Sequence, residues 1–468
     1  MDNTFRNWLL GLSAITLVSL VVFRTAQVET VLCGLLVVAV FVLALRRLEY
    51  GVLALIAEIF TSGNGHLLEL HAGGAVISLR MGLFGVVMLA WIIDVVRKRR
   101  VAALMRERTV RAILAMLAVI MWGLVNGAWI EHLPIARVLA DGNNWLYFAA
   151  VLPVFDLATR AHRAQWFSQV SSLVRAGVVF LCAKAWLIFV LTAGAGSAVA
   201  TYLYHFVRQT SGGQIAPASY GMWRIYEWPQ LILLPVLVYL VAQLIVQVRE
   251  RAVQKWTVVA LLIVVSTVVL TLFRSFWLGA IAGLGCMALW YVRKQFGVVV
   301  KTKMIVVGLV IASTLLIMGV GTTLAWLHSG TPSIQKEIFT TGEPGVQNRV
   351  AQAGPMWTQI KSAPILGSGF GTAITYESTD LREQGQFTTA ALELGWLDMW
   401  MEVGMVGVLV FVGFLVFIFR GAQPWVVCSV IALVVVHLVS PFLNHPVGIA
   451  ILGILFVYSA VDKNAQPA

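Results

Sequence analysis

The chain has 468 residues, of which 60% are hydrophobic and 12% charged, against roughly 25% charged for a soluble domain; its mean hydropathy is +0.88. That composition excludes a water-soluble globular protein, and the formal net charge of +12 calls for no nucleic acid, because a polytopic membrane protein concentrates Lys and Arg on its inner loops, beside anionic headgroups. The expected fold is an all-α polytopic membrane protein, since lipid offers the backbone no hydrogen-bond partners and unbroken apolar runs satisfy it as helices.

Fourteen runs approach the roughly 20 residues needed to cross the hydrocarbon. They are 7 to 23, 28 to 45, 48 to 62, 78 to 96, 110 to 128, 142 to 156, 165 to 192, 229 to 248, 255 to 273, 276 to 292, 304 to 326, 396 to 419, 424 to 441 and 447 to 461. The third, sixth and last are short, so 12 to 14 spans are expected. The first is followed by Arg24 rather than a small-residue cleavage site, and reads as a retained anchor. With the N-terminus inside, 21 Lys and Arg fall on the inner side, densest from Arg97 to Arg111, and 10 on the outer. Both termini are therefore expected in the cytoplasm. The expected division is a helix bundle over 1–326, a large periplasmic loop over 327–395 and C-terminal spans over 396–468. Cys33, Cys182, Cys286 and Cys428 all lie in apolar runs, where free Cys behaves as a small hydrophobe. No disulfide and no zinc site are expected from them.

Four outer stretches carry polar residues. The first, 63 to 77, contains His66, Glu69 and His71, with Arg80 starting the fourth span. These could be drawn as metal ligands, but the spacing is loose and lies in a glycine-rich loop, so the reading is a loop with surface histidines and no metal. The second ends in Asp141-Gly-Asn-Asn144, which reads as a cap on the sixth span. The third runs to Tyr220-Gly-Met-Trp-Arg224-Ile-Tyr-Glu227-Trp-Pro229, where Trp223, Tyr226 and Trp228 compete as an interfacial aromatic belt.

Between the ninth and tenth runs, Arg274 interrupts two spans that would otherwise fuse, so it must sit in a very tight outward turn. It can be a polar hinge snorkelling to headgroups. Ser, Asn or Gly would make such a turn without a fixed cation, which favours an anion site. The fourth stretch, 327 to 395, is the only long extramembrane segment. Arg349 to Lys361 has apolar residues at helical spacing and reads as an amphipathic helix on the membrane. Then comes Pro364-Ile-Leu-Gly367-Ser-Gly369-Phe-Gly371, a turn whose glycines allow close approach to a ligand. Glu377, Asp380, Arg382, Glu383 and Glu393 follow, and Glu402-Val-Gly404-Met-Val-Gly407 leads into the twelfth span.

At these residues the chain resembles the O-antigen ligase and Wzy-type polymerase superfamily, bacterial inner-membrane glycosyltransferases that use undecaprenyl-diphosphate-linked glycans. The resemblance rests on the Arg274-Ser275 turn, the Arg349 helix, the Pro-x-x-Gly-x-Gly-x-Gly turn, the Glu-x-Gly-x-x-Gly motif and the late periplasmic loop, over roughly 220 to 420. It implies transfer of the glycan to a hydroxyl acceptor at the periplasmic face, by polymerisation or ligation. The acceptor would be lipid A core, a growing glycan or a protein hydroxyl. Ligases carry a His-Asn pair nine residues before the motif's Glu, where this chain has Glu393-Leu394; polymerases of O-antigen or exopolysaccharide type are therefore at least as well matched as ligases. A departing diphosphate needs cations, which Arg supplies as a permanent bidentate fork, and the acceptor hydroxyl needs a base. Arg224 and Arg274 are the expected diphosphate clamps and catalytic cations, with Arg349 or Arg80 assisting and Glu393 as base, or else as an exposed carboxylate pairing with Arg382. No cofactor is expected. The competing class is a transporter or flippase of the same lipid-linked sugars, for which Lys184 in the seventh span would line a central path. Its alternative is a pair with Glu58 or Asp94 in helix packing.

Overall fold

The computed structural model describes residues 3–73, 75–160, 163–194, 197–217, 223–291, 300, 303–304, 344–378 and 385–462. The eleventh run beyond residue 304, together with Lys336, Asp380, Arg382 and Glu383, lies outside the described residues.

The chain is predominantly helical. Among the described residues seven helices are long and apolar enough to cross a membrane: Asn3–Val22, Ala26–Arg46, Leu79–Arg97, Arg108–Ile130, Ala164–Ala193, Trp228–Arg249 and Gly395–Phe419. Lys255–Leu270, Pro424–His437 and Pro446–Ala460 are shorter apolar helices, and residues 274–291 form another helix. Each falls on a predicted run. Their outer faces are apolar, with Val21 80% exposed and Leu35 64%, a surface suited to lipid and not to water. The short third run is the helix Leu48–Thr61. The sixth is longer than read, comprising Ile135–Leu146, the 3₁₀ turn Tyr147–Ala150 and Val151–Thr159.

The chain forms two compact units. The first is drawn from Met1–Asp94, Arg160–Ile338 and Gln423–Ala432, the second from Val95–Thr159, Phe339–Ala422 and Leu433–Ala468. In the first, Asn3–Val22 lies along Arg163–Gly194. Phe23, Ile188, Phe189, Phe206, Ile215 and Ile225 make a core beneath the antiparallel hairpin of Gln214–Pro217 and Trp223–Tyr226. A second hairpin pairs Glu69–Ala72 with Ala75–Ser78, Glu69 opposite Ser78. Helix Lys255–Leu270 turns tightly into helix 274–291 through Leu272, whose φ of 46° is left-handed. For a Leu that backbone costs roughly 1–2 kcal/mol.

In the second unit, helix Pro344–Ser362 packs on the strand Ile374–Ser378 and on helix Gly395–Phe419. Met356, Ile360, Ile374, Tyr376, Leu392 and Met401 bury the join. The helix predicted from 349 to 361 is therefore present, and longer at its N-terminal end. A hairpin of Ile374–Ser378 with Gly385–Thr389 follows it. Helix Gly395–Phe419 is broken at Gly404, which has φ 71° and ψ −179°.

Candidate functional site

In the first unit the hairpin and the tight turn meet around Arg224. Strand alternation sends Arg224 and Tyr226 to one face. The Arg224 Nη2 donates to the carbonyl of Leu272 at 3.1 Å, and its guanidinium lies 5.7 Å from the centre of the Phe273 ring. Tyr226 stacks on that ring with centroids 4.1 Å apart and planes 13° from parallel. The strained Leu272 carbonyl thus faces an arginine, and the neighbouring aromatic pair fixes the turn from which exposed Arg274 projects. Sequence reading placed Arg224 and Arg274 on separate outer segments, and the fold brings the first onto the turn of the second. Tyr226 is only 6% exposed, so it belongs to this packing and not to an interfacial belt.

Two other basic residues of this unit, Arg80 and Lys184, are committed. Arg80, 5% exposed, donates through Nε to Glu58 Oε2 at 2.8 Å, through Nη2 to Glu58 Oε1 at 3.2 Å, and through Nη1 to the Gly63 carbonyl at 2.8 Å; Nη2 also donates to the Ser62 carbonyl. Arg80 therefore ties the C-terminal end of helix Leu48–Thr61 to the start of helix Leu79–Arg97. Lys184 Nζ donates to Glu227 Oε2 at 2.5 Å and to Ser211 Oγ at 3.4 Å. Its partner is neither Glu58, held by Arg80, nor Asp94, which pairs with Arg160 at 2.7 Å. Both Lys184 and Glu227 are buried, so the lysine is spent on packing the hairpin against helix Arg163–Gly194.

In the second unit Arg349 and Glu393 come together. Nε of Arg349 lies 2.9 Å from Oε2 of Glu393, with side chains 26% and 38% exposed. The Glu393 N–H donates to Oε1 of buried Gln352 at 3.0 Å, three residues along the same helix as Arg349. One helix face thus holds both the side chain and the backbone of Glu393. Glu393 pairs with Arg349; the alternative expected partner, Arg382, lies outside the described residues.

The glycine turn has a different role from the one its composition suggested. Gly367, Gly369 and Gly371 all have φ between 74° and 82°. A Cβ on Gly367 would meet the Glu402 carbonyl at 2.4 Å, one on Gly369 the Gly127 amide nitrogen at 2.2 Å, and one on Gly404 the Ile365 carbonyl at 2.2 Å. The glycines let the turn enter the break in helix Gly395–Phe419 and lie against the π-helical turn Asn126–Ile130; they do not open room for a ligand. Backbone bonds stitch it there, from the Ser368 N–H to Met401 O at 2.7 Å, Gly369 N–H to Glu402 O at 2.9 Å, Met405 N–H to Pro364 O at 3.0 Å and Phe370 N–H to Gly123 O at 3.0 Å. Buried Asn126 donates to the Gly367 carbonyl at 2.7 Å. These bonds satisfy the donors and acceptors that the break at Gly404 would otherwise strand in the interior.

Beside the break lie two buried acids, Asp398 and Glu402, with half-buried Asp141. The Trp145 indole N–H donates to Glu402 Oε2 at 3.2 Å, and Asn444 Nδ2 donates to Asp398 Oδ2 at 3.2 Å. Asp141 shares a hydrogen bond with Glu402, and its Oδ2 accepts the Gly371 N–H at 2.7 Å. Asp141 is thus not a helix cap: the helix starts at Ile135, after Pro134, and Asp141 in its interior caps the glycine turn instead. Asn126 and Trp145 were missed by sequence reading. The only local signal was an Asn-Gly pair at the end of an apolar run.

No curated protein and no solved structure matches the chain. Residues 258–412 match the family model described as O-antigen ligase. The match spans about a third of the chain and takes in the Leu272–Arg274 turn, Arg349, the glycine turn, Glu393 and the Glu402–Gly404 break, while Arg80 and Arg224 lie before it. Residues 258–412 are thus similar to the O-antigen ligase family, and apolar helices long enough to cross a membrane lie around the matched segment, as in a multi-pass membrane protein.

Proposed function

We propose that the protein is a glycosyltransferase that moves an undecaprenyl-diphosphate-linked glycan to a hydroxyl acceptor at the periplasmic face of the bacterial inner membrane, polymerising or ligating surface polysaccharide. The observation that carries this reading is Arg224 resting on the Leu272 carbonyl and the Phe273 ring, on the turn that presents Arg274. A guanidinium held by a carbonyl on one edge and an aromatic face on its plane is preorganised, and preorganised cations are what a departing diphosphate requires.

In this scheme Arg224 and Arg274 bind the diphosphate and stabilise its charge as the bond from the anomeric carbon to phosphate oxygen breaks. The acceptor oxygen bonds to that carbon as its proton passes to a base, for which Glu393, paired with Arg349, is the candidate carboxylate. Undecaprenyl diphosphate is the leaving group. Arg80, spent on Glu58 and two carbonyls, holds the fold of the outer segment and not the phosphate. The pairing of Lys184 with Glu227 favours the enzyme over a flippase, since the one intramembrane lysine of the seventh span is used in packing.

The test is a strain lacking the gene, complemented with wild type, Arg224→Ala, Arg274→Ala or Glu393→Gln, in which surface glycan and lipid-linked precursors are measured. Loss of long polysaccharide with repeat units still reaching the periplasm supports polymerisation. Full-length polymer left on its lipid carrier supports ligation. Repeat units trapped in the cytoplasmic leaflet would overturn the enzyme reading in favour of the flippase.

A further inference from the structure

The hairpin of Glu69–Ala72 and Ala75–Ser78 carries a side-chain cluster that the glycan chemistry does not use. Strand alternation puts Glu69 and His71 on one face. His66 Nδ1 lies 2.8 Å from Glu69 Oε1, and His71 Nε2 lies 3.4 Å from Glu69 Oε2, so the carboxylate is bracketed by two imidazoles. The strand is pinned to helix Ala26–Arg46 by the His71 N–H, which donates to Thr30 Oγ1 at 3.1 Å. That bond delivers a second carboxylate, because Glu29 precedes Thr30. One ligand atom from each of Glu29, Glu69 and His71 lies within 4.8 Å of the others.

We infer that this cluster binds a divalent transition-metal ion of the zinc class, with His71 Nε2 and one oxygen each from Glu69 and Glu29 as ligands and His66 bonded to the other oxygen of Glu69. Imidazole with carboxylate is a zinc-type donor set, and donors about 2.0–2.2 Å from a shared tetrahedral ion stand about 3.3–3.6 Å apart, so a contraction of at most about 1.5 Å from the present spacing seats the ion. Two carboxylates meet here with imidazoles around them, and a dication offsets both charges. The ligands are also held from outside. The Arg24 N–H donates to Glu29 Oε1 at 3.1 Å, which fixes that carboxylate and leaves its second oxygen to the ion. His66 does the same for Glu69, the outer-shell arrangement by which ligand orientation is set. Side-chain exposures of 12% for Glu69 and 37% for His71 give an ion access from solvent. In sequence the spacing from His66 to His71 looked too loose for a metal; the third ligand comes instead from a helix some forty residues earlier. An ion here would staple the hairpin to the start of that helix, on the segment that Arg80 closes at its other end.

Full-length protein purified in detergent and stripped with a chelator is titrated with zinc alone by calorimetry, and with cobalt by visible absorption. The expected result is one zinc per chain, a cobalt spectrum of low coordination number and a higher midpoint of thermal unfolding with zinc. Glu29→Gln and His71→Ala should each weaken zinc binding at least tenfold while keeping the wild-type midpoint in chelator. That unchanged midpoint separates lost ligation from lost folding. His66→Ala should weaken binding about tenfold through Glu69. The inference is overturned if wild type takes up no stoichiometric zinc, or if Glu29→Gln binds zinc as wild type does, which would mark an adventitious surface ion only.

Discussion

Two arginine–glutamate pairs in this protein look alike in sequence and differ in every physical respect. Arg80 and Glu58 have side chains 6% and 2% exposed, and the guanidinium is further satisfied by two backbone carbonyls. Arg349 and Glu393 are 26% and 38% exposed and approach to 2.9 Å. The first pair is enclosed, so both charges depend on each other. The second is wet enough that either partner can turn to a ligand without stranding the other. An outer-face arginine is thus evidence of a functional anion site only where its guanidinium is not consumed by the fold.

Arg80→Ala should have the largest effect on the fold. It leaves the Glu58 carboxylate buried without its partner, a change that costs about 3–5 kcal/mol. The measurement is the thermal unfolding midpoint in detergent, beside the yield of folded protein. Replacing both members with apolar residues of similar size, Glu58→Leu with Arg80→Met, should recover much of the loss, because no charge is then left buried. If Arg80→Ala is as stable as wild type yet inactive, the contrast fails and Arg80 belongs with the anion site.

Gly404→Ala should come next. Its φ of 71° with ψ of −179° lies in a region essentially reserved for glycine, which costs a side chain about 1–3 kcal/mol, and its Cβ would stand 2.2 Å from the Ile365 carbonyl, so the turn must also leave the break. Unfolding midpoint and proteolysis of the 364–371 turn report the two parts separately. A stable Gly404→Ala with an intact turn would show that the helix break does not hold the turn in place.

Arg349→Ala, by contrast, should cost no more than about 1 kcal/mol of stability, as half-exposed ion pairs do, while glycan transfer falls steeply. A double-mutant cycle with Glu393→Gln sharpens this: for stability the two changes should nearly add, and for transfer they should not, because each disables the same unit. Near-additive losses of transfer would separate the two residues into independent roles.

The helices were legible because their signal is one-dimensional. An apolar run records its own burial in lipid, and each of the seven long apolar helices from Asn3–Val22 to Gly395–Phe419 lies on such a run, whereas Val101–Arg106 and Ser197–Ser211 lie on none. Partners were not legible. Lys184 could be assigned to Glu58 or Asp94 as readily as to Glu227, because charge says that a buried lysine needs a carboxylate and nothing about which one. Asp141 was misread since its helix begins six residues earlier, at Ile135. The glycines of the 364–371 turn were read as ligand space, when composition reports only that no Cβ fits and not what excludes it. Arg349 and Glu393 were named for opposite tasks in catalysis, and their contact depends on the helix and strand between them.

The most local effect belongs to Trp145→Phe. The indole N–H is a neutral donor to Glu402, a residue 1% exposed whose carboxyl also meets Asp141. Removing the donor keeps a ring among Phe148, Phe370 and Phe411 but trims a fully buried side chain, so the cost should combine one hydrogen bond to a buried acceptor, about 1–3 kcal/mol, with a small cavity. The backbone carbonyl of Glu402 receives the Gly369 N–H, so a loosened Glu402 should be felt in the glycine turn. Faster amide exchange at 367–371, with unchanged exchange in the first unit's hairpin of Gln214–Pro217 and Trp223–Tyr226, is the expected signature. Unchanged exchange at the turn would mean that the buried acids merely fill the break, and that the backbone bonds from Ser368, Gly369 and Phe370 hold the turn by themselves.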